Sequence, residues 1–331
     1  MISKAKRFFA ELMLFVILSS VLCGCGRIGS FLSEHIKYDE NTEVKIIARE
    51  DKGLLIEKSG QKILMVKGSP YEMGYQHGYL LKKEVKSIVK TIIEGCAALK
   101  PGMLEIIWGS VEEYIPDRYK DELKGLADGA GLSFEEVQLA NIMPELFHCS
   151  GFAVFGNATK DGELLHGRIL DYETNAGLQK HSVVIMAQPE GYNSYINPIV
   201  AGIIGSVTGM NDKQVTIGEM GGTEKCRDGL PMIFLLRMIL EEANTLEEAM
   251  SIMESSKRTC EYYYVISDGK IPDARAMKCL PDSMEVLKPG KSHPLLPAAP
   301  PEDVVMISGE DRYIILKQRI EENFGNINRM C

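Results

Sequence analysis

The chain has 331 residues, 45% apolar and 25% charged, with 46 acidic against 37 basic side chains and a net charge of -9. That apolar share can fill a sizeable core in one large domain or two small ones, and no tract has the composition of a disordered segment. Acids and bases are interspersed, so the basic footprint of a nucleic-acid binder is missing.

The chain opens with Lys4, Lys6 and Arg7, an apolar run from Leu12 to Leu22, and then small residues with cysteine. This is the three-part pattern of an export signal. Spanning a bilayer takes about 20 apolar residues, so the run reads as a cleaved signal over residues 1–25. Leu22-Cys23-Gly24-Cys25 resembles a bacterial lipobox, which makes Cys25 the expected lipidated N-terminus. Residues 26–41 then form a polar tether. The expected location is the extracytoplasmic side of the cell membrane, held by a lipid anchor.

Val44 to Ala48, Leu54 to Glu57 and Ile63 to Val66 are short β-prone runs separated by turn residues, a small meander. Pro70 suits a first helical turn, and Leu81, Val85, Ile88, Val89, Ile92 and Ile93 have helical spacing. One amphipathic helix is expected from Pro70 to about Ala98, stopped by Pro101-Gly102. Residues 108–147 are again helical, interrupted at Gly129-Ala130-Gly131 and restarted by a capping box at Ser133 and Glu136. The composition changes at Cys149. Strands are expected at Phe152 to Asn157, Glu163 to Leu170, Ser182 to Gln188, Val200 to Val207 and Val215 to Ile217, with a hairpin signal at Asp161-Gly162. Helices at Pro231 to Glu242 and Leu246 to Ser255 follow, then strands at Tyr262 to Ser267, Ala274 to Lys278 and Val304 to Ile307. A last helix covers Asp311 to Asn323. The pattern is α+β, with sheets stacked against helices.

The cysteines are Cys23, Cys25, Cys96, Cys149, Cys226, Cys260, Cys279 and Cys331, with no CxxC pair outside the signal region. A structural zinc site therefore has little support. With Cys23, Cys25 and Cys149 set aside, the odd five that remain do not make a disulfide framework, although one bridge is possible. Glu72 and His77 on the first helix lack a third ligand at useful spacing, and no cofactor is expected. Cys149 stands at the head of the hairpin. A thiol attacks only as thiolate and needs a base. Its own α-amino group, with a pKa of about 7.7 to 8.0, can serve. That requires a cut between His148 and Cys149. In an uncut chain His148 or His166 would have to act instead, and the bland reading is a buried thiol at a strand start.

The run His148-Cys149-Ser150-Gly151-Phe152, continuing through Gly162-Glu163-Leu164-Leu165-His166-Gly167-Arg168-Ile169-Leu170-Asp171, resembles the nucleophile hairpin of the acyl-coenzyme A:6-aminopenicillanic acid acyltransferase family. That family belongs to the N-terminal nucleophile hydrolases and is related to bile-salt and penicillin V hydrolases. Gly68 to Gly78, Glu122 to Gly131, Thr208 to Asp212, Leu235 to Ala249 and Ser308 to Tyr313 are similar to family segments in the same order. The resemblance implies a four-layer αββα sandwich at residues 149–331 behind a pro-region at 42–148. It implies that Cys149, freed by autoproteolysis, attacks a small amide or acyl substrate to give a thioester that water or an amine resolves. Arg168 would tune the thiol, Asp171 hold the amino group, Asn211 shape the loop beside the site, and Arg312 match a late family arginine. Residues three apart in a strand face opposite ways, so Arg168 and Asp171 converge only if the strand ends near Leu170. Two departures stand out. Gly221 occupies the place of a second asparagine, an oxyanion donor in the bile-salt hydrolases, leaving a backbone N–H or Tyr263 as substitute. The sequence stops at Cys331 where relatives continue, so the sandwich is expected to be short of its last strands. The alternative is an inactive lipoprotein that keeps the fold as a binding module.

Overall fold

In the computed structural model, which describes residues 44–142, 149–170, 177–222 and 227–329, the expected N-terminal meander is present as β1 (Val44–Glu50), β2 (Gly53–Lys58) and β3 (Gln61–Gly68). The signal, the tether and Cys25 lie outside the described residues. Five helices follow: α1 (Pro70–Leu80), α2 (Lys82–Leu99), α3 (Met103–Val111), α4 (Asp117–Ala130) and α5 (Phe134–Ala140). The single helix expected from Pro70 to Ala98 is thus two, broken at Leu81. The break has a packing reason. Helix α2 buries a stripe of Val85, Ile88, Val89 and Ile92, whereas α1 crosses α4 on glycine, and one straight helix cannot aim both faces correctly.

That crossing is close. A Cβ added to Gly74 or Gly78 would stand 2.0 or 2.3 Å from the carbonyl oxygens of Glu122 and Leu126, and one on Gly125 or Gly129 would stand 2.1 or 2.3 Å from those of Tyr71 and Tyr75. Only hydrogen fits at such separations. Gly129, expected in a turn, is therefore helical, and the left-handed C-cap falls on Gly131 at φ 66°.

The second half contains β4 (Ser150–Gly156), β5 (Gly162–Ile169), β6 (Ser182–Pro189), β7 (Tyr195–Val200), β8 (Thr208–Asn211), β9 (Val215–Glu219), α6 (Met232–Glu242), α7 (Leu246–Ser255), β10 (Tyr262–Asp268), β11 (Asp273–Cys279), β12 (Met284–Leu287), β13 (Val304–Ile307) and α8 (Glu310–Glu322). Strands β7, β8 and β12 were not expected from sequence. Ten strands form one sheet in the order β1-β2-β3-β6-β7-β8-β9-β10-β11-β12, and β13-β4-β5 form another. Strand β3 runs parallel to β6, so the N-terminal meander and the later strands share a sheet.

Helices α1 to α7 cover one face of the large sheet through the main core. Its other face meets the three-stranded sheet through Cys149, Ala153, Phe155, Met220, Val265, Ala276, Val305 and Ile307. Helix α8 closes the far side, with Tyr313 and Ile320 against Val154, Val304 and Met306. The alternation along β4 assigns the layers: residues 149, 153 and 155 look between the sheets and 154 looks at α8. This is the expected αββα order, with a second sheet of three strands among the described residues.

One expected strand is absent. Residues 201–207 form a loop although every one of them is buried. The apolar run suggested a strand, but in place of a ladder its backbone groups are bonded partly to scattered backbone groups and partly to side chains. Asn141 donates to the carbonyl of Gly202 and accepts from Ile204 N–H, His77 accepts from Gly202 N–H, and Arg237 donates to the carbonyl of Ile204. A buried backbone group without a partner is costly, and these side chains remove that cost.

Candidate active site

Cys149 immediately precedes β4, and Arg168 lies on the returning strand β5, where it opposes Gly151. Both side chains fall on the face between the sheets. The guanidinium Nη2 of Arg168 lies 3.4 Å from Sγ of Cys149, and the two residues are 8% and 3% exposed. Burying an unpaired guanidinium would be expensive. Glu219, at the end of β9, supplies the counter-charge: its Oε2 accepts from Nη2 at 3.0 Å and its carbonyl accepts from Nε at 2.5 Å. Thr208 Oγ1 takes Nη1 at 3.0 Å. The guanidinium is held on three sides with one edge toward the sulfur.

Two opposite charges act on the thiol. With an effective dielectric near 20, a cation 3.4 Å from the sulfur stabilises a thiolate by about 5 kcal/mol. The carboxylate oxygen is at most about 6.4 Å from the sulfur and opposes this by at least about 2.6 kcal/mol. The cation is the charge hydrogen-bonded to the sulfur itself. Cys279 is the contrast: also buried, it has its thiol pushed up to about 12 by desolvation, which suits an inert core residue. Cys96 is likewise a free buried thiol, and Cys260 is disulfide-bonded.

The remaining expected residues separate. Strand β5 ends at Ile169, and Asp171, like His148, lies outside the described residues. Asn211 is on the opposite face of the large sheet from Arg168. Its amide donates to the carbonyls of Leu240 and Ala243, and its oxygen accepts from the N–H groups of Lys213 and Val215. It shapes the β8–β9 turn and ties it to the end of α6; as a catalytic group it is withdrawn, since all its polar capacity is used there. Arg312 sits in the first turn of α8, half-buried, with its guanidinium against Gly309. The Ser308 hydroxyl near that turn is 2.6 Å from the hydroxyl of Ser150, the residue after Cys149.

His166 is no base for Cys149. Burial, reinforced by the Arg168 charge, lowers it to about 3, and Nδ1 is engaged with Ser267 Oγ at 2.8 Å. Both substitutes for the missing oxyanion donor are engaged as well. Gly221 N–H donates to Glu219 Oε1, and the Tyr263 hydroxyl donates to Glu261 at 2.8 Å.

Residues 158–271 match the sequence profile of the family described as acyl-coenzyme A:6-aminopenicillanic acid acyl-transferase. The matched stretch includes Arg168, Thr208 and Glu219. A protein of Archaeoglobus fulgidus is 26% identical over 268 residues, covering 69% of this chain and 45% of that protein. Mouse N-acylethanolamine-hydrolyzing acid amidase is 24% identical over 179 residues, covering 50% of this chain and 48% of the amidase. The chain thus spans about half the length of these curated relatives. Among solved structures, the Caenorhabditis elegans ortholog of that amidase aligns with a TM-score of 0.43 at 17% identity, covering 54% of this chain and 80% of the ortholog.

Sequence reasoning missed Glu219 and Thr208. The signal for Glu219 was present: a carboxylate that ends the apolar strand Val215-Thr216-Ile217-Gly218-Glu219, fully buried in the fold, demands a cationic partner.

Proposed function

We propose that the protein is a cysteine N-terminal nucleophile amidohydrolase or acyltransferase. The observation that carries this reading is the Arg168 guanidinium held against Cys149 Sγ by Glu219 and Thr208. Autoproteolysis after His148 frees the Cys149 amino group, which takes the thiol proton. The sulfur attacks the substrate carbonyl, the amine leaves with a proton, and the thioester passes its acyl group to water or to another amine. Cys149 belongs to an apolar cluster that includes Ala153, Phe155, Met220, Val265 and Ile307, with Leu295 and Leu296 packed against it, and this apolar setting favours a small amide with an apolar acyl group. The mouse amidase hydrolyses N-acylethanolamines by name, and an acyl amide is the corresponding class here. The enzyme is held at the outer face of the cell membrane by acyl chains on Cys25.

A second reading, an inactive lipoprotein that binds with the same fold, is favoured by one observation. Gly221 N–H and the Tyr263 hydroxyl are both already bonded to carboxylates, and losing one oxyanion donor costs on the order of 100-fold or more in rate.

Intact mass of the protein from a bacterial host that processes lipoproteins tests both parts. Wild type is expected as two pieces joined at 148/149, with acyl mass on the N-terminal piece, and Cys149→Ala as one. An uncut wild type whose Cys149 is also unlabelled by a thiol-reactive acyl probe overturns the catalytic reading and leaves the binding module.

A further inference from the structure

The segment before the expected cut contributes more to the site than a leader needs to. Asn141 and His77 both belong to it, and both are buried, at 0% and 2% exposure. Their polar atoms are aimed at the loop of residues 201–207. The Asn141 amide donates to the Gly202 carbonyl at 2.9 Å, its oxygen accepts from Ile204 N–H at 2.9 Å, and His77 Nε2 accepts from Gly202 N–H at 2.9 Å. Gly202 adopts φ 88° with Val85 of α2 alongside. The Ile204 carbonyl takes Arg237, whose guanidinium is paired with Glu122 of α4. Backbone bonds hold the loop at Ala201, Ile203, Ser206 and Val207, and at Gly202 and the Ile204 N–H the N-terminal segment supplies the partners through Asn141 and His77.

The loop leads directly into the site. Glu219 N–H donates to the Val207 carbonyl at 3.0 Å, and the next residue, Thr208, holds Arg168. Thus both residues that clamp the guanidinium, Thr208 and Glu219, adjoin a loop held in part by Asn141 and His77, Thr208 as its direct continuation and Glu219 through the Val207 carbonyl.

We propose that Asn141 and His77 are positioning residues for Arg168, so that the segment before residue 149 remains a working part of the active site after the cut. This rests on Cys149 being the nucleophile. It makes a specific prediction: weakening the Asn141 contacts loosens the Arg168 clamp and lowers the thiolate fraction of Cys149.

The test is the pH profile of Cys149 alkylation by iodoacetamide in the full processed protein, read on the Cys149 peptide by mass spectrometry. Wild type should show a midpoint below that of an ordinary thiol, and Arg168→Gln should raise it. If Arg168→Gln leaves the midpoint unmoved, the catalytic reading itself fails. With that established, Asn141→Ala should raise the midpoint by about half a pH unit, roughly a threefold loss of thiolate below it. Ile239→Val, a core lesion in α6, controls for lost stability and should lower the melting temperature without moving the midpoint. Should the alanine variant fail to fold, Asn141→Ser, which keeps a donor and an acceptor, takes its place with the same criterion. Folded Asn141 variants that match the wild-type midpoint overturn the proposal while the nucleophile assignment stands.

Discussion

Replacing Glu219 by glutamine should move stability and thiol chemistry in opposite directions. The side chains of Glu219 and Arg168 are 1% and 3% exposed, so the ion pair is buried. Glutamine keeps the shape but removes the charge, and its single carbonyl oxygen cannot accept from both Arg168 Nη2 and Gly221 N–H, as the two carboxylate oxygens do. Leaving a buried charge unpaired costs about 3 to 5 kcal/mol, and the retained hydrogen bond places this variant near the lower end. For a chain of this size that is a fall in melting temperature of roughly 4 to 8 °C. At the thiol the sign reverses. At the same effective dielectric the carboxylate opposes the thiolate by at least about 2.6 kcal/mol, so removing it should lower the Cys149 alkylation midpoint by about two pH units. Calorimetry and pH-dependent iodoacetamide labelling read the two effects on one preparation. A lower melting temperature with an unchanged or higher midpoint refutes the electrostatic account, since Glu219 would then merely hold Arg168 in place.

Two further predictions come from the scaffold. Gly74→Ala forces a methyl group to within 2.0 Å of the Glu122 carbonyl oxygen and should destabilise by about 3 kcal/mol or more in urea unfolding, whereas Gly95→Ala, in α2 with open space around it, should stabilise by about 0.5 to 1 kcal/mol. His77 and His166 are both held near 3 by burial, with Arg237 and Arg168 adding to the effect, against about 6.5 when unfolded. Their folded pKa values are depressed, so below pH 6.5 the unfolded chain takes protons that the native state refuses. Stability is full above that pH and should fall by about 2 to 3 kcal/mol per pH unit toward pH 4, a slope that His166→Gln should halve.

The parts of the fold that were legible in the sequence are those governed by local pattern. The Asp161-Gly162 turn, the capping box at Ser133 and the apolar runs of β4 and β13 formed as local chemistry directs. Cys149 was legible because its neighbours form a hairpin, and Arg168 because it returns on the adjacent strand. Glu219 was not, since it arrives from a strand of the other sheet, 51 residues beyond Arg168, and spacing along the chain carries no trace of a contact made across two layers.

The buried loop at 201–207 failed for a related reason that is more instructive. Its run of Ala, Gly, Ile, Val and Ser satisfies the composition of a strand, and a strand is the usual means of satisfying buried backbone. What replaces the ladder here is a set of isolated polar side chains on otherwise apolar helix faces: His77, Asn141 and Arg237. Each, read alone, is a defect in its helix. Together they account for most of the polar backbone of residues 202–204, and two of them precede the expected cut. A buried polar residue on an apolar face therefore signals an irregular neighbour elsewhere in the fold. In this chain that neighbour adjoins Thr208 and Glu219, which hold the cation beside Cys149.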